Sequence, residues 1–203
     1  CAGDINIISL AGGLKEAERL GKILGEAVVK ATANVKKLNI QTLSIVNKEM
    51  ILPFEVIPPH TLDKLEERIR QSSQAISEHE EDERTIHDQQ IFSRWVNRVR
   101  DAPTGLRFHV QGIGFDKEFV MLGMTHQLFA SYQIAIQAQS PFPHTLTFGY
   151  TNGCNGYVPT AEAFYLGGYE VEGAPKLFGL PRLQPICEEL IHEAVNTVLK
   201  SLI

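Results

Sequence analysis

The sequence has few cysteines, no long hydrophobic run and no concentration of positive charge. Its three cysteines lack metal-site spacing and are too few for a disulfide scaffold, so they are compatible with a reducing cytoplasm, the favoured location. No apolar run approaches the roughly 18 residues of a membrane-spanning helix, which predicts no transmembrane segment. A net charge of −5 without a basic stripe argues against nucleic acid as a partner.

The composition and its periodicity predict a folded α+β chain. Its 203 residues, 43% hydrophobic and 21% charged, fit one domain with a buried core. Apolar spacing of three and four residues predicts helices over residues 14–35, 61–100, 124–138 and 185–203. Alternation predicts strands over 39–57 and 145–150, and a hairpin over 105–120 with its turn at 112–117. Because strands and helices follow one another without regular βαβ spacing, we expect a layered α+β fold.

The chain begins Cys1-Ala2-Gly3-Asp4-Ile5-Asn6, with a thiol at its first position. A free α-amino group beside a side-chain nucleophile is one known way to activate that nucleophile. The beginning therefore favours a cleavage immediately before Cys1. The alternative is an ordinary residue at an incidental cut site.

Two stretches carry a more specific pattern. The first is residues 1–6 followed by residues 16–21, and the second runs from Ser140-Pro141 to Glu170. Together they resemble the later half of the neutral/alkaline ceramidase family, over most of the chain. The resemblance implies a layered α/β sandwich, with αββα layering as one option. Residues 1–203 would form the later part of a larger catalytic domain, completed by a missing N-terminal segment or a subunit from the same precursor.

In that family, a lipid amide is hydrolysed with a zinc ion and the serine of a Gly-Asp-x-Ser motif. Gly3-Asp4-Ile5 matches the motif here, but Asn6 occupies the serine position. The family's zinc-ligand glutamate falls on Gln127, and its ligand tyrosine falls on Tyr157. The zinc-ligand histidines of the family lie upstream, in a segment absent from this chain.

These departures from the family pattern change the expected chemistry. Asn6 cannot form an alkoxide, and a glutamine is a neutral, poorer ligand than a glutamate for a dication. We therefore expect no metal site in this chain, and zinc only if the upstream histidines are present. Because Cys1 lies five residues before the family's nucleophile position, it is the candidate replacement.

The leading hypothesis is an autoprocessed amide hydrolase or acyltransferase acting on an acylated small molecule or lipid. A thiol of pKa about 8.5 beside an amine of pKa about 7.7–8.0 can transfer its proton near neutrality, and the Cys1 thiolate then attacks the carbonyl. This chain would be the β-subunit of a heterodimer. The alternatives are a zinc-dependent ceramidase-like lipid amidase and a catalytically inactive scaffold of the family.

Other residues are expected to support Cys1. Asn6 or Asn152, together with backbone N–H groups, would stabilise the oxyanion. Asp4 would orient the amine or fix the turn, and Tyr157 would donate a hydrogen bond to the substrate or leaving group. Residues that would line the substrate site are His126, Gln127, Cys154 and His144. Structural roles are the alternatives, such as packing or capping for the histidines and loop scaffolding for Asn6.

Overall fold

The computed structural model describes residues 1–7, 12–76 and 83–203, without the side chains of 73–76 and 83–85. Its α-helices are Gly13–Thr32 (α1), Pro59–Ile76 (α2), Glu83–Arg100 (α3), Ala130–Gln139 (α4), Ala161–Leu166 (α5), Ala174–Phe178 (α6) and Cys187–Ser201 (α7). Its strands are Leu43–Pro53 (β1), Gly105–Phe115 (β2), Phe119–Met124 (β3), Gln127–Leu128 (β4), His144–Phe148 (β5) and Tyr157–Val158 (β6). A π-helical turn, Tyr169–Gly173, precedes α6. The mixed content confirms the α+β class.

Two sheets organise the chain. The larger has the order β1-β2-β3-β5, antiparallel except for the parallel pair β3 and β5, and the smaller is the parallel pair β4 and β6. One face of the larger sheet packs on α7 and forms the main core with residues that include Phe108, Val110, Leu122, Ile191 and Val198. This burial removes a large apolar area from water and is the main source of the fold's stability.

The hairpin was predicted correctly, but its turn was placed too early. Strand β2 continues through Gly112 and Gly114, and the turn begins at Asp116, whose φ is +49°. A Cβ on Gly112 would lie 2.5 Å from Cγ1 of Val198 in α7. The glycine is therefore needed because the final helix approaches the strand closely. In the sequence, a glycine at such a position looks the same as a turn residue.

The helix predicted over residues 124–138 begins later than expected. Met124 ends β3, Gln127–Leu128 form β4, and α4 starts only at Ala130. Strand β4 forms because Gln127 and Leu128 pair with Tyr157 and Val158 of β6. Long-range pairing thus overrides the local helical pattern, and Gln127 lies on a strand instead of a helix.

The polar segment predicted as one helix over 61–100 contains two helices, α2 and α3, which pack on each other. The centre of its charged run, residues 77–82, lies outside the described residues. Trp95 of α3 donates a 2.7 Å hydrogen bond to the carbonyl of Leu180. The helix pair is thereby tied to the segment that leads from α6 to α7.

Helix α5 is capped in an unexpected way. The sequence predicted Thr160 as its side-chain cap, but Thr160 makes no capping hydrogen bond. Instead, the carboxylate of Glu188 on α7 accepts the Ala161 N–H at 2.6 Å. A carboxylate at a helix N-terminus is electrostatically favourable, so a distant residue supplies the cap.

The described helices include none with the length and hydropathy that a membrane-spanning segment requires.

Candidate functional site

The frame of the site is the parallel pair β4–β6 together with residues 149–156, here called the 149–156 loop. Gln127 and Tyr157 are register partners in this pair. Side chains at such partner positions lie on the same face of a sheet, so two residues thirty positions apart project from neighbouring points. These are the two positions that the resemblance had assigned to a single site.

The N-terminal segment docks directly on β4. The Gly3 N–H donates to the Leu128 carbonyl at 2.8 Å, and the Ala130 N–H donates to Oδ1 of Asp4 at 2.6 Å. Asp4 therefore accepts a hydrogen bond from the first residue of α4, 126 positions away in the sequence. Gly3 is buried, and a Cβ there would lie 2.4 Å from the Gln127 carbonyl oxygen. Only glycine allows this approach.

Cys1 lies beside the frame. Its backbone nitrogen donates to Oε1 of Gln133 at 3.1 Å, and its side chain is half-buried against the main core. An amino group at Cys1 would have its pKa lowered by desolvation, with the charge of Asp4 partly opposing this. Its Cα also approaches Gly149 of the 149–156 loop. The backbone of Cys1 is thus held beside α4 and the 149–156 loop.

The other two thiols have different environments. Cys187 is buried in the core, its Sγ donates to the Pro53 carbonyl at 3.6 Å, and burial raises the pKa of its thiol to about 11. Such a thiol is almost fully protonated at neutral pH and therefore unreactive. Cys154 is exposed in the 149–156 loop. Cys1 alone combines partial burial with a position at the β4–β6 frame.

Two phenol groups supply hydrogen-bond donors at the frame. The hydroxyl of Tyr150 donates to Oε1 of Gln127 at 3.2 Å. Burial raises the pKa of Tyr157, and Tyr169, Tyr150, Glu170 and Cys154 add to the effect through their negative charge when ionised. Tyr157 is therefore protonated at neutral pH and is a hydrogen-bond donor.

His126 holds the 149–156 loop in place. The Asn155 N–H must donate to Nδ1 (2.9 Å), so Nε2 carries the proton and donates to the Arg107 carbonyl at 2.8 Å. Its backbone bonds to Gly153 and Tyr150. The side chain is only 5% exposed and both ring nitrogens are engaged within the protein. We therefore assign His126 a positioning role in place of the expected contact with substrate.

Unusual backbone conformations concentrate at this place. Apart from glycines, positive φ angles among the described residues occur at His126 (+69°), Tyr150 (+59°), Asn152 (+61°) and the hairpin turn residue Asp116. Left-handed conformations are costly for residues with a Cβ, particularly for bulky ones. Two of these residues lie in the 149–156 loop, and His126 lies in the bend between β3 and β4 that bonds to it. They mark the location as one where strain is tolerated, as at functional sites.

The 149–156 loop also forms one wall of a cleft. The cleft has a volume of about 700 Å³ and is lined partly by Glu49, Arg107, His109, His126, Asn152 and Cys154. Its size falls in the range of small-molecule sites. Two of the predicted site residues, Asn152 and Cys154, thus lie exposed at its edge.

The stability of the loop should depend on pH through His126. Burial lowers the pKa of His126 below its ordinary value of 6.5, with the hydrogen bond to Arg107 opposing. The unfolded chain therefore takes up a proton before the folded chain, so folding stability falls as pH decreases below about 6.5. We expect the urea midpoint to fall between pH 7.5 and 5.5, and to fall less in His126→Gln. An equal fall in both proteins would contradict this assignment.

The residues at the frame do not fit a zinc ion. Gln127 offers a neutral amide oxygen that already accepts from Tyr150, and Tyr157 is a protonated phenol. Structural and catalytic zinc sites use thiolates, imidazoles and carboxylates. Within residues 1–7, 12–76 and 83–203, no group of three or more His, Cys, Asp or Glu residues is arranged to hold a metal ion.

Two predicted site residues are not brought to the frame. His144 is exposed at the start of β5, opposite Phe119, and five extended residues, about 16 Å, separate it from Gly149, the position near Cys1. Asn6 is exposed, beyond the Gly3-Asp4 turn. Sequence reasoning missed Gln133 and Tyr150. Tyr150 lay within the resembling stretch, whereas no motif or spacing pointed to Gln133.

Comparisons with known proteins give limited similarity. No protein-family model matches the chain, and no curated protein matches it. Solved structures with similarity include a ceramidase complexed with C2 (TM-score 0.35, 19% identity) and the neutral ceramidase of Pseudomonas aeruginosa (0.33, 20%). Each match covers 49% of this chain, and 15% and 16% respectively of the two ceramidase chains.

Proposed function

We propose that this chain carries an amide-hydrolase site in which the Cys1 thiol attacks the carbonyl carbon of an acylated amine. The observation that carries the proposal is the position of Cys1, which contacts Gly149 of the strained 149–156 loop and Gln133 of α4, next to the β4–β6 pair that includes Tyr157. Strained loops on a rigid scaffold are common locations of catalytic residues.

The reaction would proceed in two steps. The Cys1 thiol loses its proton to solvent, and the thiolate adds to the carbonyl carbon. The C–N bond then breaks as the leaving nitrogen takes a proton from solvent, while the Tyr157 hydroxyl donates a hydrogen bond to the leaving group. The products are a free amine and an acyl-thioester on Cys1. Water hydrolyses the thioester, releasing a carboxylic acid and restoring the thiol.

The frame offers groups to orient the amide. The Tyr150 hydroxyl fixes the Gln127 carboxamide through its oxygen, which leaves the amide NH₂ of Gln127 as a donor for the substrate carbonyl. Apolar residues of the adjoining cleft, Ile51, Phe54 and Leu106, would accept the acyl part. These contacts would replace the metal on which the resembling family relies.

The hydrogen bond from Cys1 to Gln133 can form whether the Cys1 nitrogen is a peptide N–H or a free amine, because both can donate. An amine exposed by cleavage would add a base. Its lowered pKa would increase the neutral fraction at neutral pH, and the neutral form is the one that accepts the thiol proton. If this cleavage is autocatalytic, a precursor with Cys1→Ala stays uncleaved. Intact-mass measurement of the protein expressed from the full reading frame would test this.

The proposal is tested by trapping the acyl-enzyme. A p-nitrophenyl ester of a short fatty acid should acylate Cys1 in the full chain, seen by intact mass and located by peptide mapping. Cys154→Ala should label as fast as the wild type, and Cys1→Ala should lose labelling by at least about 100-fold, since residual labelling would come only from other thiols. Labelling that persists in Cys1→Ala, or falls only in Cys154→Ala, would overturn the proposal and favour an inactive scaffold.

A further inference from the structure

A small cavity adjoins the site on the side of Tyr157. It lies between β6, α5, the π-helical turn and α6, and its volume of about 20 Å³ matches a single water-sized group. Its lining includes Tyr157, Phe164, Glu170, Phe178 and Leu180. Four aromatic residues, Phe54 being the fourth, and one glutamate therefore line a space large enough for one small polar group.

The rings of this cavity stand at steep angles to one another. Tyr157 meets Phe178 at a centroid distance of 6.4 Å and an angle of 77°. It also meets Tyr169 at 6.0 Å and 74°. In such edge-to-face pairs the positive edge of one ring meets the negative face of the other, which fixes the orientation of the Tyr157 ring. Aromatic rings attract cations over their faces, so a cavity lined by several rings suits a cation.

The charge at the cavity is also suited to a cation. Glu170 is the single charged side chain among the described residues lining it, and its carboxylate contributes to the raised pKa of Tyr157. Arg182 lies outside, 5.8 Å from the Phe164 ring centroid, and is paired with Glu55 at 2.9 Å. The positive charge of Arg182 is thus balanced by its own partner, and Glu170 is the charged residue in the cavity lining.

We propose that this cavity binds the primary ammonium group of a ligand. An –NH₃⁺ group is close to water in size, gains from the aromatic faces, and pairs with Glu170. A trimethylammonium group is several times larger than the space. This inference rests on the proposed function and narrows its substrate class to an acylated amine with a second, free primary ammonium, as in a monoacylated diamine. Tyr157 belongs to both the cavity and the reaction site.

Binding can be measured without catalysis. The full chain with Cys1→Ala is titrated with n-butylammonium chloride, and the ring resonances of Tyr157, Phe164 and Phe178 are followed by NMR. We expect saturable shifts with butylammonium, and none with n-butanol or tetramethylammonium at equal concentration and ionic strength. Shifts from all three compounds, or from none, would overturn the inference.

Three variants locate the binding. Glu170→Gln should weaken butylammonium binding about tenfold, since the charge is lost while the shape is kept. Glu162→Gln removes the same charge from the exposed side of α5 and should leave binding unchanged. Phe178→Leu, which keeps the carboxylate, should also weaken binding. Equal effects of Glu170→Gln and Glu162→Gln would show a general charge effect and refute the pocket.

Failure of this inference is distinguishable from failure of the proposed function. If Cys1 is acylated but butylammonium does not bind, the substrate class is wrong and the hydrolase proposal stands. If butylammonium binds but Cys1 is never acylated, the cavity is an ammonium site in a protein without this chemistry. Both results are read from separate samples, since binding is measured in Cys1→Ala and acylation in the wild-type thiol.

Discussion

Replacing Gly3 by alanine should slow acylation of Cys1 by about 100-fold, because a displacement of about 1 Å at a reacting group can cost that much. A Cβ at this position would lie 2.4 Å from the Gln127 carbonyl oxygen and 3.0 Å from that of Leu128. Both oxygens belong to the backbone of β4, so no change of side-chain rotamer can move them away from the new Cβ. The segment that carries the thiol must therefore move away from the strand. Stopped-flow release of p-nitrophenol measures the rate.

The matched control is Gly21→Ala in α1. No atom lies within 4 Å of a Cβ at Gly21, and alanine is the better helix former by about 1 kcal/mol. Gly21→Ala should acylate at the wild-type rate and be slightly more stable. If Gly3→Ala also reacted at the wild-type rate, the position of Cys1 against β4 would be irrelevant to its reactivity.

Replacing His126 by alanine should lower the free energy of unfolding by about 2–4 kcal/mol. The change leaves a buried cavity and removes the partners of the Asn155 N–H and the Arg107 carbonyl, each of which costs free energy when buried and unpaired. The 149–156 loop should become more mobile as well. Urea unfolding measures the first effect and amide hydrogen exchange at Asn155 the second.

His144→Ala serves as the control for the loss of a histidine. His144 is exposed at the start of β5, so its replacement should change stability by less than about 0.5 kcal/mol. A similarly small effect of His126→Ala, with unchanged exchange at Asn155, would show that the ring does not hold the loop.

Local patterns predicted the long elements well and the short ones poorly. Helices α1 and α7 and strand β5 lie where the apolar periodicity predicted them. Each of these elements repeats the same apolar spacing over several residues, so a local pattern is enough to identify it. Strands β4 and β6 have two residues each and exist only through their mutual pairing. The turn predicted at Gly112 was placed too early for a related reason. A glycine is needed there because Val198 packs closely against it, and Val198 is too distant in the sequence for a local pattern to include.

The candidate site was predictable only where a motif covered it. The resemblance selected Gln127 and Tyr157, which are register partners, and Asp4, which bonds to the start of α4. Gln133 could not be found this way, since its contact with Cys1 spans 132 positions and no pattern links the two. His126 was found, but its role depends on which groups its two nitrogens meet, and this is a property of the folded loop.

The small parallel pair β4–β6 has a consequence for the order of folding. The β2–β3 hairpin closes a short loop, whereas Gln127 meets Tyr157 across thirty residues and Cys1 meets Gln133 across 132. Closing the longer of these last two loops costs about 1.3 kcal/mol more chain entropy than closing the shorter. Contacts of such high sequence separation form slowly. We therefore expect the hairpin to be protected early during refolding, and the thiol to reach its position only in the last stage.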